Sequence, residues 1–381
     1  MDAFEPGWNQ NVTAEPVRPL TGVRILDCTR LLPCSFGTQL LADMGAEVIK
    51  IEQPGGEIGR QHDRFPTVNR HKLSVTLDLG TPHDRSRLLE LLTTADVLLE
   101  SFRPGVMERF GLAYQDLKDR YPSLVYVSSS GYAAESPTPV RPGHDLNYLA
   151  TAGVLQPRVG DTPVLSATPV GDLATGMVVA MSVLAALLHS RNTGVGQHIS
   201  TNMADVSLVL GAVGAGRLPP REGTEPDGIR TWPDVPLGHF PCYGTYETAD
   251  NRFVSFGNIE TKFWEEFLAA TGLMHLAEAQ FATGTAASAA ESAIAEVIRS
   301  RTLAEWEDVF ANRDVCFAAV RTLREAVGTT DVLDRGLIET RDDDLLIAAF
   351  PATFSGTPAR VGGVAPEPGE HNILFFGSTT R

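Results

Sequence analysis

In the first half of the chain, short apolar runs alternate with stretches whose apolar residues recur at helical spacing. Residues 23–27 (VRILD), 47–52 (EVIKIE), 73–79, 96–100 and 124–128 read as strands. Residues 38–45 form an amphipathic helix stopped by Gly45, and a second helix is expected over 82–92. Strands separated by helices make βαβ units. The pattern therefore predicts an α/β fold, with a Rossmann-like large domain built on a mostly parallel sheet. The opening strand–turn–helix lacks GxGxxG. The one cluster resembling it, residues 211–216 (GAVGAG), follows a helical stretch and is expected to be a flexible linker.

Past Gly216 the texture changes. Residues 217–241 are rich in Pro, Gly and charge and read as a linker. Residues 243–247 and 253–256 then suggest a hairpin around Asp250-Asn251, followed by helices over about 260–271, 287–299 and 303–312. The prediction is a smaller α+β domain over 242–330, distinct from the large domain over 19–216. The Pro- and Gly-rich segment 331–381 is expected to return to the large domain. Residues 1–18 are acidic and polar, without the charged and apolar regions of a signal peptide, and read as an N-terminal arm.

Composition narrows the function. Hydrophobic residues at 43% and charged residues at 20% belong to a chain that buries a core. A formal net charge of −16 repels phosphate backbones, so no nucleic-acid partner is expected, and any anionic ligand needs local cations. Cys28, Cys34, Cys242 and Cys316 form no CxxC or zinc-type spacing and are expected to be free thiols of a reducing cytoplasm. The longest apolar run, 177–188, is too short to cross a bilayer. It reads as a buried core helix, with no membrane partner implied.

Walker A, GxSxG and HExxH signatures are absent. What remains are ionisable residues at element junctions. Gly143-His144-Asp145 opens a helix, where free backbone N–H groups stabilise an oxyanion, although Asp145 is also an ordinary capping residue. Asp172 heads the apolar helix expected over 173–188 and is equally placed to cap it. Two such helix starts converging in one cleft would set a His and an Asp on opposite sides of a carbon acid, as two-base proton transfer requires. Glu260 stands at a strand-to-helix junction in the smaller domain, a position the helix dipole favours by itself. Arg30, Lys50, Arg60, Arg64, Arg70, Lys72 and Arg103 cluster around loops after strands and could hold a polyphosphate, or simply be solvated.

Several long stretches resemble the class III CoA-transferase superfamily, and most closely its α-methylacyl-CoA racemase branch. They are LLADMGAEVIKIEQPG (40–55), NRHKLSVTLDL (69–79), ADVLLESFRPGVMERFGL (95–112), GHDLNYLATAGVL (143–155), GDLATGM (171–177), GQHISTNMADVSLVL (196–210), YGTYETADNRFVSFGNIETKFW (243–264) and FANRDVCFAAV (310–320). Racemases of this family carry a GHDINY-like motif with a catalytic His, matched here by His144. A GDF-type Asp matches Asp172, and a Glu supporting the His matches Glu260. The backbone N–H after the His, that of Asp145, is implied to bind the thioester oxygen. The sequence departs from the racemases at 129–137 (SSGYAAESP), in GDLATGMV and at 234–241 (DVPLGHFP), stretches that touch the walls of the acyl pocket.

The resemblance implies a racemase or epimerase of a 2-methylacyl-CoA, with an acyl-CoA substrate, no permanently bound cofactor or metal, and CoA present only as part of the substrate. It implies an interlocked homodimer, in which Glu260 approaches His144 from the partner chain. The alternative is a CoA-transferase that uses Asp172 as a nucleophile. Among the basic residues, Arg30, Lys50, Arg70, Lys72 and Arg103 are the candidates for holding CoA.

Overall fold

The computed structural model describes residues 17–133, 141–155, 165–216, 240–360 and 362–377. They divide into two compact units, Met1–Gly211 with Asp334–Arg381, and Ala212–Leu333. The expected N-terminal arm and the linker at 217–241 lie almost entirely outside the described residues.

The first unit is built on β1 (Arg24–Cys28), β2 (Glu47–Glu52), β3 (Leu73–Thr76), β4 (Val97–Glu100), β5 (Val125–Ser130) and β6 (His198–Asn202). They lie in the order β3-β2-β1-β4-β5-β6, with every neighbouring pair parallel. Alternate residues of the central strands face opposite layers. Ile25, Val48, Val97 and Val127 pack with α1 (Leu32–Asp43) and with a long helix over Val170–Thr193. Leu26, Ile49, Leu98 and Tyr126 pack toward α3 (Pro82–Leu92), which follows α2 (Arg64–Asn69). Strands covered on both faces have no polar side to show, which is why they read as continuous apolar runs. α1 begins earlier than its apolar spacing indicates because Pro33 is preset for a first helical turn.

The short helices α4 (Val106–Phe110), α5 (Tyr114–Leu117) and α6 (Asp145–Thr151) follow β4 and β5, and the long helix Val170–Thr193 is α7. The helix expected over 173–188 is longer at both ends: it runs for 24 residues, long and apolar enough by composition to cross a membrane. Its buried side, including Gly176, Val179, Val183 and Leu187, packs in the same core layer as α1. One strand goes beyond the expected set, and one further expectation is corrected. His198–Asn202 (HISTN) carries no apolar run, yet it extends the sheet as its edge strand, one face exposed. Gly211 and Gly214 lie inside helix α8 (Met203–Ala215) rather than in a linker.

The opposite edge of the sheet is closed by the C-terminal segment. The Ser74 and Thr76 N–H groups donate to His371 Nδ1 (3.1 Å) and Asn372 Oδ1 (2.9 Å), so β3 does not present a free ladder to solvent.

The second unit pairs β7 (Tyr243–Glu247), β8 (Phe253–Gly257) and β9 (Phe317–Ala319) as an antiparallel sheet. Helices α9 (Thr261–Thr271), α10 (Gly284–Ile298) and α11 (Leu303–Phe310) cover it. Its core joins Val254 and Phe256 to Trp264, Phe267, Ile294, Ile298, Trp306 and Phe310. The hairpin turns at Asn251, whose φ of 57° a short polar side chain tolerates.

Candidate active site

In a doubly wound sheet the crevice forms beyond the carboxyl ends of the strands, where the strand order reverses. Here that point lies between β1 and β4. A cavity of about 750 Å³ opens there, lined by Arg30 and Leu31 after β1 and by Ser101, Phe102 and Arg103 after β4. Leu31 has φ 63°, an unusual value for a side chain of this kind, in the loop that forms one wall. The cavity extends to His144 and Asp172, so the two helix starts do converge in one cleft.

His144 caps α6. Its backbone N–H donates to Asn147 Oδ1 (3.0 Å), and the residue lines the cavity. Asp172 lies in the first turn of α7, three residues past its N-cap, Pro169. Asp145 connects the two helices. Its Oδ1 accepts the backbone N–H of Asp172 at 2.9 Å. Burial pushes the Asp172 carboxyl up to about 6, and the negative charge of Asp145 adds to the effect. His144 and Arg64 oppose it. The carboxyl can therefore hold or release a proton near neutral pH, as a general acid–base group must.

Tyr148, one turn after His144, stands in the same motif but carries no sequence signal of its role. Its hydroxyl donates to the Gly143 carbonyl at 2.7 Å, and its ring meets Tyr132 edge-on at 5.1 Å. A Cβ on Gly143 or Gly131 would fall within 2.9 Å of that ring or its hydroxyl, so both glycines make room for it. Tyr148 thus fixes the backbone just before His144. Burial, then the charge of Asp172, push its phenol up to about 12, so it remains a donor.

The cationic residues divide. Arg30 and Arg103 line the cavity, with the Arg30 guanidinium 5.1 Å from the Phe102 ring. Lys50, Arg70 and Lys72 do not; the expectation that they hold CoA is corrected. Each is at most 4% exposed and engaged inside the unit. Lys50 pairs with Glu57 (3.2 Å), Arg70 with Asp43, and Lys72 with Asp27 (3.2 Å). Their places beside the cavity are taken by Arg64 and by Arg141, which sits 4.5 Å over the Tyr132 ring. Arg141 precedes the motif and carries no local signal of its role. Glu260 belongs to the second unit, exposed at the N-cap of α9.

The model of CoA-transferase family III matches residues 20–372. The chain belongs to that family. This family III enzyme is 32% identical to a probable fatty acyl-CoA transferase of Mycobacterium tuberculosis, over 96% of this chain and 99% of that one. It is 31% identical to human alpha-methylacyl-CoA racemase, over 89% of this chain and 87% of the racemase. Its fold matches the crystal structure of a hypothetical protein from M. tuberculosis with a TM-score of 0.80 and 32% identity, covering 95% of this chain and 99% of that one. Relatives of nearly equal similarity thus bear the names of both reactions, and the chain is an enzyme of the CoA-transferase/racemase family.

Proposed function

We propose that the enzyme racemises or epimerises the α-carbon of a 2-methylacyl-CoA thioester. The observation that carries this reading is the meeting of His144 and Asp172 in one cavity, with Asp172 raised to about 6. The α-carbon sits between the two groups. One removes the α-proton, the electron pair of the C–H bond moves into the C–C bond, and negative charge collects on the thioester oxygen. The Asp145 N–H opens α6, so no earlier carbonyl of that helix accepts it, and it is available to that oxygen. The second group then returns a proton to the opposite face and the thioester is restored. An enolate formed this way must be stabilised by on the order of several kcal/mol through oriented donors in a water-poor site. The reading needs no resident metal or organic cofactor, because CoA enters and leaves as part of the substrate. By the resemblance to the racemases, Glu260 of a second copy of the chain is proposed to orient the His144 ring.

The enzyme is further proposed to act as a homodimer. Met177, Met181 and Leu188 form a stripe along α7 and are 48%, 61% and 64% exposed, while Leu208 and Val209 of α8 are exposed as well. Apolar side chains in such a row are ordinarily covered, and the occupant proposed is a second copy of this chain.

Incubation with (S)-2-methylacyl-CoA in deuterated buffer, with and without a free carboxylic acid, tests the reaction. Deuterium at the α-carbon with loss of configuration, independent of the acid, is the expected result. CoA appearing on the added acid without α-exchange would overturn it in favour of a transferase with Asp172 as nucleophile. His144→Ala separates the two chemistries: it should lower racemisation by about 10²-fold or more while sparing transfer.

A further inference from the structure

The side chain of Asp145 faces away from the task given to its own N–H. It is not among the residues lining the cavity. Instead its Oδ1 reaches from α6 to the start of α7 and accepts the Asp172 N–H at 2.9 Å. The fit there is close. A Cβ on Gly171 would stand 3.0 Å from that oxygen and 2.8 Å from Ser207 Oγ of α8, so three helices meet at this point. One reading of the contact is simple anchoring, since the first N–H groups of a helix need an outside acceptor. A neutral amide or a hydroxyl would do that equally well. A carboxylate there also places a like charge beside the one carboxylic acid in the site that must exchange a proton.

We propose that the Asp145 carboxylate is a positioning residue for Asp172: it fixes the first turn of α7 and, as a neighbouring like charge, sets how readily Asp172 holds its proton. The inference rests on the racemase reading for its catalytic consequence, but not for its physical content. The charged and titratable groups acting on Asp172 are Asp145 and His144 of the α6 segment and Arg64 of α2, with the phenol of Tyr148 beside them. Of these, Asp145 alone is a carboxylate. Arg64 and protonated His144 favour the ionised form, so removing the Asp145 charge leaves nothing but burial holding Asp172 in its acid form.

For two-base transfer the site must carry one proton shared between His144 and Asp172, and activity is lost on the acid side when a second proton binds. Asp145→Asn keeps an oxygen acceptor for the Asp172 N–H but removes the charge, which makes Asp172 harder to protonate. The acid limb of the exchange rate should therefore move to lower pH by on the order of one unit. At pH 5 the variant should then retain several-fold more of its own maximal rate than the wild type, because a one-unit shift is about tenfold in protonation equilibrium. Asp145→Ala removes both acceptor and charge. It should show the same shift with a maximal rate lower by about tenfold, as the α7 turn loses its anchor.

The test combines the pH profile of α-deuterium exchange with ¹³C-carboxyl titration of Asp172, its resonance assigned by its loss in Asp172→Asn. The expected result is a Asp172 midpoint near 6 in the wild type and a lower one in Asp145→Asn, with the acid limb moving in step. An unmoved midpoint in a folded Asp145→Asn protein overturns the proposal and leaves Asp145 as an anchor alone. Absence of α-exchange in the wild type would instead defeat the racemase reading, and the titration would still decide the role of Asp145.

Discussion

Asp27 at the carboxyl end of β1 is fully buried, and the residues around it show how one ion can be held inside an α/β core. Burial acts to raise its carboxyl, but Lys72 and Lys50 outweigh that, aided by the hydroxyls of Thr29 and Thr38, and hold it near 2. Because the folded value lies below the ordinary 3.8, the group contributes stability above the unfolded value, and loses it as pH falls from about 4 through 2. Acid unfolding should steepen in that window, and Asp27→Asn should flatten the slope of stability against pH there. Lys72 also holds Asn69 Oδ1 and Thr38 Oγ1, both at 2.8 Å. Lys72→Met leaves Asp27 buried beside only Lys50. It should cost about 3–5 kcal/mol in denaturant unfolding, far more than loss of a surface ion pair. These lysines look in the sequence like the exposed cations beside them. Burial of a charge depends on residues distant in the chain, so nothing local distinguishes Lys72 from Arg103.

At the scale of elements, α1 and α7 approach through glycines. A Cβ on Gly37 would lie 2.6 Å from the Gly176 carbonyl oxygen, and one on Gly176 would lie 2.5 Å from the Pro33 carbonyl oxygen. Backbone atoms cannot yield as a side-chain tip can. Gly176→Ala should therefore destabilise the protein by about 1–3 kcal/mol through overpacking. It should also lower catalysis, since the same helix carries Asp172 one turn earlier. Gly214 of α8 offers the control, because among the described residues no heavy atom lies within 4 Å of an added Cβ and its φ is not positive. Gly214→Ala should stabilise by about 0.5–1 kcal/mol. Paired unfolding curves check both signs. In sequence, the two glycines differ only in context. The glycine cluster of α8 read as a linker because a glycine's helix cost is local, whereas the packing that offsets it is not.

For the molecule as a whole, charge and apolar surface point in different directions. The chain carries −16 overall, yet Arg30, Arg64, Arg103 and Arg141 all line one cavity. A polyanionic thioester is then drawn to one place on a repelling surface. Raising ionic strength from about 0.01 to 0.15 M shortens the screening length from about 30 to 8 Å, so KM for an acyl-CoA should rise several-fold with little change in kcat. The apolar stripe on α7 answers to a different measurement. A Met181→Asp, Leu188→Asp double variant should sediment as a monomer where the wild type sediments as a dimer. Monomeric wild type at micromolar concentration would contradict the proposed assembly.

The sequence by itself determined the class of fold, the family, and the placing of His144 and Asp172 at helix starts. Strand and helix periodicities are local, and the two motifs sit at junctions that any α/β reading must place at element ends. The GHDLNY and GDLATGM segments name their residues without reference to what lies opposite. Tertiary structure alone decided the rest. It withdrew Lys50, Arg70 and Lys72 into ion pairs and brought Arg64 and Arg141 to the cavity. It recruited the polar segment HISTN as an edge strand, and it set the Asp145 carboxylate against the backbone of Asp172. Each of these outcomes is a meeting of groups far apart in the chain. Pairing across that distance depends on which surfaces pack together, and residue type and spacing alone do not carry that information.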